Sequence, residues 1–389
     1  MSHPLFSDHH DLLRTVIADW ARDRIAPHID EWEAAREFPR ELFVELGQLG
    51  FLGAQYPVEY GGQGADFASS LVIAEELSRI GAESVSMAVA VHASMATPPI
   101  YKFGSEEQRH RYLPPILSGH KIAALAISEP EAGSDVSGIT TRATRSEDGW
   151  ILNGQKTFIT NGSRADVLVV IARTDNGSED ERPPAFSTFI VDADLAGVIR
   201  GRKLEKIGRH ASDTTELFFD NVRLQPAALL GVEGEGFKQI MWELEAERLT
   251  SAATSVALGS HALDLAITYV KSRRQFGHPI ADFQAIRHTL ASHAARLTAA
   301  RELVYATAVR FQNGEERLVE IAMAKLVAAE VLNDVADYAL QVHGGYGYMA
   351  EYPIGRIWID ARLKRIAAGS DEVLREIIAK QLIGHAHDR

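Results

Sequence analysis

Two changes of texture divide the chain, and they restrict its architecture more than any single motif. From "FSDHHDLLRTVIADWARDRIAPHIDEW" to "ESVSMAVAVHASMATPPIYKFG" apolar residues fall at three- and four-residue spacing, with Ser7 opening the first helix and Pro27 breaking it. At Lys121 short β-type runs take over: "KIAALAISEP", "WILNGQKTFITNG", "ADVLVVIAR", "FSTFIVDAD" and "TTELFFDNVRL", parted by Gly, Asp and Asn turns. The polar "TDNGSEDERPPA" reads as a surface loop. From Gly231 helical texture returns in three long segments, the first of them "GFKQIMWELEAERLTSAATSVALGSHALDLAITYVKSRR". Strands grouped together, not alternated with helices, argue against a doubly wound parallel sheet and predict an α+β multidomain chain. The expected units are helical over 1–120, β over 121–230 and helical over 231–389, the last a four-helix-type bundle closed by the final helix.

Bulk properties narrow the chemistry. Without cysteine, disulfides, thiolate nucleophiles and Cys-ligated metals are excluded. The histidines are scattered without ligand spacing, so no metal site is expected. A formal charge of −13 argues against nucleic acid, and an anionic substrate would need local cations or helix N-termini because the overall field repels it. No apolar run is long enough to cross a bilayer, and "MSHPLFSDHHDLL" resembles neither a signal nor a transit peptide, so a cytoplasmic location is expected. There is no Gly-x-Ser-x-Gly elbow, HExxH or Walker loop. "GYGYMA" at Gly345 follows a helix, not a strand, and is no dinucleotide fingerprint.

Two places are shaped to meet a ligand. "AISEPEAGSDVSG" and "FITNG" end strands in small-residue turns, which puts the hydroxyls of Ser128, Ser134 and Thr160 at the mouth of the β unit. The polar edge of a flat heterocycle wants such contacts, although plain turn chemistry accounts for the same residues. Near the C-terminus, "LKRIAAGSDEVLREIIAKQ" sets four small residues, Ala367 to Ser370, before a helix with a Ser cap and an acidic first turn. Backbone there can approach a ligand closely, with free N–H groups facing it.

Taken together, "AISEPEAGSD", "LNGQKTFITNG", "SRRQFGHPIADFQ", "QVHGGYGYMAEYPIGRIWIDAR" and "AAGSDEVLRE" resemble the acyl-CoA dehydrogenases in order and spacing. "YPVEYGGQG" and "FGSEEQRHRYLPPILSG" extend the resemblance over nearly the whole chain. It implies an N-terminal α-helical domain, a middle β-barrel or sandwich and a C-terminal four-helix bundle. It also implies FAD between the β domain and the bundle, in a homotetramer (a dimer of dimers) where a neighbouring subunit holds part of each FAD. Leu125, Ala126, Ile127, Ser128, Gly133 and Ser134 would line the flavin, Ser128 at its pyrimidine edge, with Ser134 also facing the CoA chain. Phe158 stands where the family often has Trp, and would pack on the isoalloxazine beside Ile159 and Thr160. Phe keeps the aromatic face and loses the indole donor. Arg273, Phe283 and Gln284 match a segment that reaches a neighbour's adenine dinucleotide, Arg273 as a charge-assisted partner of the pyrophosphate. Gln341, Val342, His343, Gly344 and Gly345 match a second such segment, where a plain glycine helix stop reads as well. Ser370, Asp371 and Glu372 complete the implied cofactor set.

In many relatives the terminal turn reads Tyr-Glu-Gly-Thr, and its Glu takes the substrate's α-proton. Here those positions are Ala367 and Ala368, and alanine takes no proton. Isovaleryl-CoA, long-chain and citronellyl-CoA dehydrogenases are similar in lacking that Glu; they carry it on the first bundle helix, just before an Arg. In "MWELEAERLTSAA", Glu247-Arg248 matches that pair. Taken alone, Glu243, Glu245, Glu247 and Arg248 would read as a solvated helix face, Arg248 pairing with Glu245. Glu243 lies four residues before Glu247, so if both face the site their repulsion raises a pKa, which suits a base for a weakly acidic proton.

The resemblance implies α,β-dehydrogenation of an acyl-CoA thioester to the trans-2-enoyl-CoA. Glu247 would take the α-proton while hydride leaves the β-carbon for the flavin. A backbone N–H of Ala368 or Gly369 would polarise the thioester carbonyl. Arg248 and Ser134 belong to the same substrate side. Electron-transferring flavoprotein is the implied acceptor; an acyl-CoA oxidase using oxygen, or a non-catalytic oligomeric scaffold, would share the fold. The base position favours long, branched or terpenoid-like acyl groups, with "SVSMAVAVHASMATPP" lining their pocket.

Overall fold

The computed structural model describes residues 3–174, 185–315 and 317–384, so nearly all of the expected surface loop "TDNGSEDERPPA" lies outside them. The first unit consists of α1 (Asp8–Arg24), α2 (Ile29–Ala35), α3 (Glu41–Gln48), α4 (Phe67–Arg79), α5 (Glu83–Ala90), α6 (Thr97–Phe103) and α7 (Glu106–Leu117). Asp66 caps α4 by accepting from the Ser69 N–H, and Ser105 and Gln108 cap α7 reciprocally. A π-helical turn, Val91–Ala96, joins α5 to α6 and carries His92. His92 is fully buried; one ring nitrogen faces Ile116 O and the other accepts from the Ala123 N–H, each at 3.0 Å. Burial pushes the imidazole down to about 4, so it is neutral and pins the end of α7 to the first strand.

Strands β1 (Ala123–Ala126), β2 (Arg142–Ser146), β3 (Gly149–Thr160), β4 (Val167–Arg173), β5 (Phe186–Asp192), β6 (Val198–Lys203), β7 (Thr214–Leu224) and β8 (Leu229–Leu230) form one sheet. Its order is β6-β7-β3-β2-β4-β5-β8, with β1 parallel to β4 from Ala123↔Val167 to Ala126↔Val170. β4 is apolar along nearly its whole length because both its faces are covered. Leu168 and Val170 pack with Trp150, Leu152 and Phe189 inside the sheet, whereas Val167 and Val169 pack on Ile100, Leu113 and Ile116 of the helices. All five β-type runs of the sequence contain strands. Three further strands of the sheet are additional to that reading: β2 "RATRS" and β6 "VIRGRK", whose residues are mostly polar and exposed, and the two-residue β8. β6 is a sheet edge, where such charge blocks further pairing.

The last unit contains α8 (Gly236–Ser272), a hairpin of β9 (Arg274–Gln275) and β10 (His278–Pro279), α9 (Gln284–Gln312), α10 (Leu318–His343), α11 (Pro353–Leu363) and α12 (Asp371–Ile383). Leu249, Val256, Leu297, Val304, Leu332 and Val335 form its core with many alanines, which let the helices approach closely. α12 packs on α10 and closes the bundle. At its start α8 is pressed onto the sheet: a Cβ on Gly236 would lie 2.8 Å from the Ser187 backbone. Buried charges tie the three units together beside the terminal turn. Arg209 donates to Glu83 at 2.7 Å, its own N–H donates to Asp360 at 2.7 Å, and Lys364 donates to Thr254 at 2.7 Å while lying 3.4 Å from Glu83.

A second buried pair shapes the turn after β1. Glu129 accepts from Lys156 at 2.8 Å, from the Thr140 N–H at 2.7 Å and from the Thr141 N–H at 2.9 Å. Burial alone would raise the Glu129 carboxyl, but Lys156 and these donors hold it at about 2. Glu129→Gln leaves a buried ammonium unpaired, so urea unfolding should show a loss of about 3–5 kcal/mol. With the ordinary value at 4.5, Glu129's contribution is present above that pH and is lost as pH falls toward 2. An unchanged urea midpoint for the variant would contradict this role.

Candidate active site

Glu243 and Glu247 lie on successive turns of one face of α8 and are 1% and 9% exposed, so this is not a solvated face. Arg248 is buried too, and its Nε donates to Ala368 O at 3.3 Å. From α10, the fully buried Lys325 donates through Nζ to Gly369 O at 2.7 Å. Two cations on two helices therefore grip consecutive carbonyls of the terminal turn. Ala368 has φ +58° and Gly369 φ +90°. A left-handed alanine is strained by about 1–2 kcal/mol, and such strain persists only where its surroundings impose it. Among the described residues no acceptor takes the N–H of Ala368, Gly369 or Ser370. The turn thus carries free donors and no acid, and both neighbouring cations act on the Glu247 charge.

Burial raises Glu247 to about 7, against the opposing pull of Arg248 and Lys325. Burial and then the charge of Glu247 hold Glu243 well above the usual carboxylate range. The repulsion expected from the sequence is present, but it ranks behind burial and falls on Glu243. Burial also brings Lys325 down to about 8. Lys325 escaped the sequence reading, although a signal existed: a lone Lys in the apolar "IAMAKLVAAEVL" must find a buried partner.

The β wall faces Glu243. Leu125 and Ile127 share a cavity with Gln239, Ile240 and Glu243 of α8. Ser128 O accepts from the Thr157 N–H at 2.9 Å, which brings the end of β1 beside Phe158 and Thr160. Phe158 has φ +59° at an irregularity in the β3–β7 register and is 69% exposed, leaving an aromatic face free. Ala126 and Ile159 belong to the sheet core, so only their backbones are on offer. Gly133 and Ser134 are exposed on the loop beyond.

A second place lies at the far end of α8. Arg273, Val342, His343, Gly344 and Gly345 line a cleft of about 580 Å³, with Arg273 over the Tyr346 ring at 5.5 Å. A Cβ on Gly344 or Gly345 would meet nothing, so backbone there is open to a ligand, and Gly344 at φ +58° also stops α10. Gln341 is exposed on the last turn of α10, and Phe283 and Gln284 open α9 beside the exposed Phe276. Arg273 lies 26 residues beyond Glu247, about 39 Å along the helix. At the terminal turn Ser370 caps α12, Asp371 is paired with Arg365 at 2.6 Å and Glu372 is exposed.

An open aromatic face, strand-end hydroxyls, partnerless turn N–H groups and a cationic glycine cleft are the donor set that a flavin with a phosphate-bearing arm requires. Among the described residues no His/Asp/Glu group is arranged to hold a metal, and no helix is long and apolar enough to cross a membrane.

Models of the acyl-CoA dehydrogenase N-terminal, middle and C-terminal domains match residues 7–120, 124–222 and 234–383. An acyl-CoA dehydrogenase of Bacillus subtilis (strain 168) is 40% identical across 96% of this chain and 97% of its own. A mitochondrial long-chain specific acyl-CoA dehydrogenase of Sus scrofa is 38% identical across 99% of this chain and 88% of its own. The crystal structure of an acyl-CoA dehydrogenase from Geobacillus kaustophilus superposes with a TM-score of 0.95 at 38% identity, over 98% of this chain and all of that one. The chain belongs to the acyl-CoA dehydrogenase family, whose members are FAD-dependent oxidoreductases acting on acyl-CoA thioesters.

Proposed function

We propose that this enzyme desaturates the Cα–Cβ bond of a long or branched acyl-CoA to give the trans-2-enoyl-CoA, with Glu247 as the α-proton base. The observation that carries the reading is a buried carboxyl at about 7, beside a turn that offers free N–H donors and no acid. FAD, when bound, supplies the acceptor for the β-hydride. Leu125, Ile127, Ser128 and Thr160, the backbones of Ala126 and Ile159, and the open face of Phe158 would hold its ring. Gly133, Ser134, the free N–H of Ser370, and Asp371 and Glu372 after it would complete that set.

The α C–H of a thioester is too weak an acid for an unaided carboxylate. Two features of the site narrow the gap. Burial makes Glu247 a stronger base than a solvated glutamate, and the N–H of Ala368 or Gly369 stabilises negative charge developing on the thioester oxygen. Arg248 and Lys325 fix the turn that presents this donor. The apolar wall of Leu125, Ile127 and Ile240 encloses Glu243, one turn before the base. Likeness to a long-chain enzyme supports a long acyl chain, lying along "SVSMAVAVHASMATPP".

About 39 Å of helix between Glu247 and Arg273 exceeds the reach of one extended dinucleotide. This separation supports Arg273, Phe283, Gln284 and residues 341–345 serving the cofactor of a neighbouring chain, in a homotetramer built as a dimer of dimers. We assign electron-transferring flavoprotein as the acceptor on the resemblance.

Glu247→Gln should fold and retain yellow FAD, while anaerobic bleaching by acyl-CoA slows by about 10²- to 10⁴-fold or more. Near-native bleaching would reject the assignment. In the native enzyme kcat/KM should rise with pH through about 7, as Glu247 ionises. Arg273→Ala should lose FAD on dilution while its Glu247 chemistry survives in excess FAD; undiminished FAD retention would count against the shared-cofactor arrangement.

A further inference from the structure

We propose that Glu243 is a positioning residue for the base: it stands beside Glu247 as the neutral acid and donates its O–H to the Glu247 carboxylate, so that the two carboxyls share one proton. The proposal rests on the reading of Glu247 as the base.

Geometry restricts the options for Glu243. It lies one turn before Glu247 on the same buried face of α8, and among the described residues neither of its oxygens meets a donor. Pro99, Leu125, Ile127 and Ile240 give it apolar walls, and Thr188 and Gln239, which also line the cavity, do not bond it. A carboxylate so enclosed, with no N–H or O–H to stabilise it, takes up a proton instead. The charged and titratable groups around it are few. Glu247 and Arg248 face it from its own helix, and Tyr56 faces it from the segment before α4, with the phenol engaged on Ala93 O at 2.8 Å. Around Glu247 stand Arg248 and, from α10, Lys325, which also feels Asp371 of α12; both cations already grip the terminal turn. Once protonated, Glu243 has a proton to place. Gln239 and Thr188 share the cavity, and each carries a partnerless oxygen, but an anion is the stronger acceptor.

This arrangement reverses the effect that like charges would have. Two ionised glutamates would push the base upward, whereas a neutral donor favours the Glu247 anion: burial raises Glu247, and the hydrogen bond from Glu243 opposes that rise while raising Glu243 itself. Donation also occupies one carboxylate oxygen and fixes the plane of the other, which remains free for the substrate's α-proton.

The test compares pH profiles of kcat/KM for FAD-loaded native enzyme, E243Q and E243M. E243Q retains an N–H donor and should keep the rising limb in place. E243M removes the donor without adding charge and should move the limb up by about one pH unit. A limb that stays put in E243M overturns the proposal, since loss of packing alone would lower the rate without moving it. Infrared difference spectra supply a readout independent of turnover. At a pH where Glu247 is ionised, native minus E243Q should contain a carboxylic-acid C=O band, and that band should shift in E247Q. Its absence from the native protein would also overturn the proposal. The two readings fail separately: active E247Q removes the base, whereas inactive E247Q with an unmoved E243M removes only the shared proton.

Discussion

Arg248 and Lys325 reach from different bundle helices to adjacent carbonyls of one strained turn, and the site's geometry follows from that grip. Each cation is buried, and each would be costly to hold there without a carbonyl and a nearby carboxyl. Together they force Ala368 into the left-handed region, which leaves three N–H groups without acceptors, and they balance the Glu247 charge that burial would otherwise extinguish. Strain, buried charge and open donors all lower stability. Their concentration at one turn fits a scaffold that yields some stability for a reactive site.

α8 converts this local chemistry into architecture. Its start is pressed against β5 at Gly236, its third turn sets Glu243 against the β wall, its fourth carries Glu247, and its end delivers Arg273 to a cleft far from both. A helix of 37 residues extends about 55 Å, so one rigid element sets the distance between Glu247 and the cationic cleft. His92, Glu129 and Arg209 perform the matching task for the other units. They tie β1 to α7, the strand-end loop to β3 and the sheet to α11, so the wall cannot drift from the helix it faces.

Much of this was legible in the sequence, for identifiable reasons. Long helices and apolar strands announce themselves by periodicity, and the absent acid at Ala368 made Glu247 conspicuous. What escaped depends on the third dimension. β2 and β6 read as polar because their partners, not their own residues, make them strands. Lys325 has no sequence-local partner, since Gly369 lies 44 residues away. The order of causes at Glu243 and Glu247 was equally hidden: spacing shows that two carboxyls can meet, whereas burial decides which of them keeps the proton. Ala126 and Ile159 fall within the right segments but face the sheet core, a distinction that depends on strand register.

The central claim is that proton removal belongs to a helix-borne carboxyl while the turn only donates hydrogen bonds. Following α-hydrogen exchange in heavy water with a thioester that carries sulfur in place of its β-carbon isolates that step, because such a compound has α-protons and no β-hydride to lose. The native enzyme should exchange those protons and E247Q should leave them in place. Exchange by E247Q at the native rate would contradict the account.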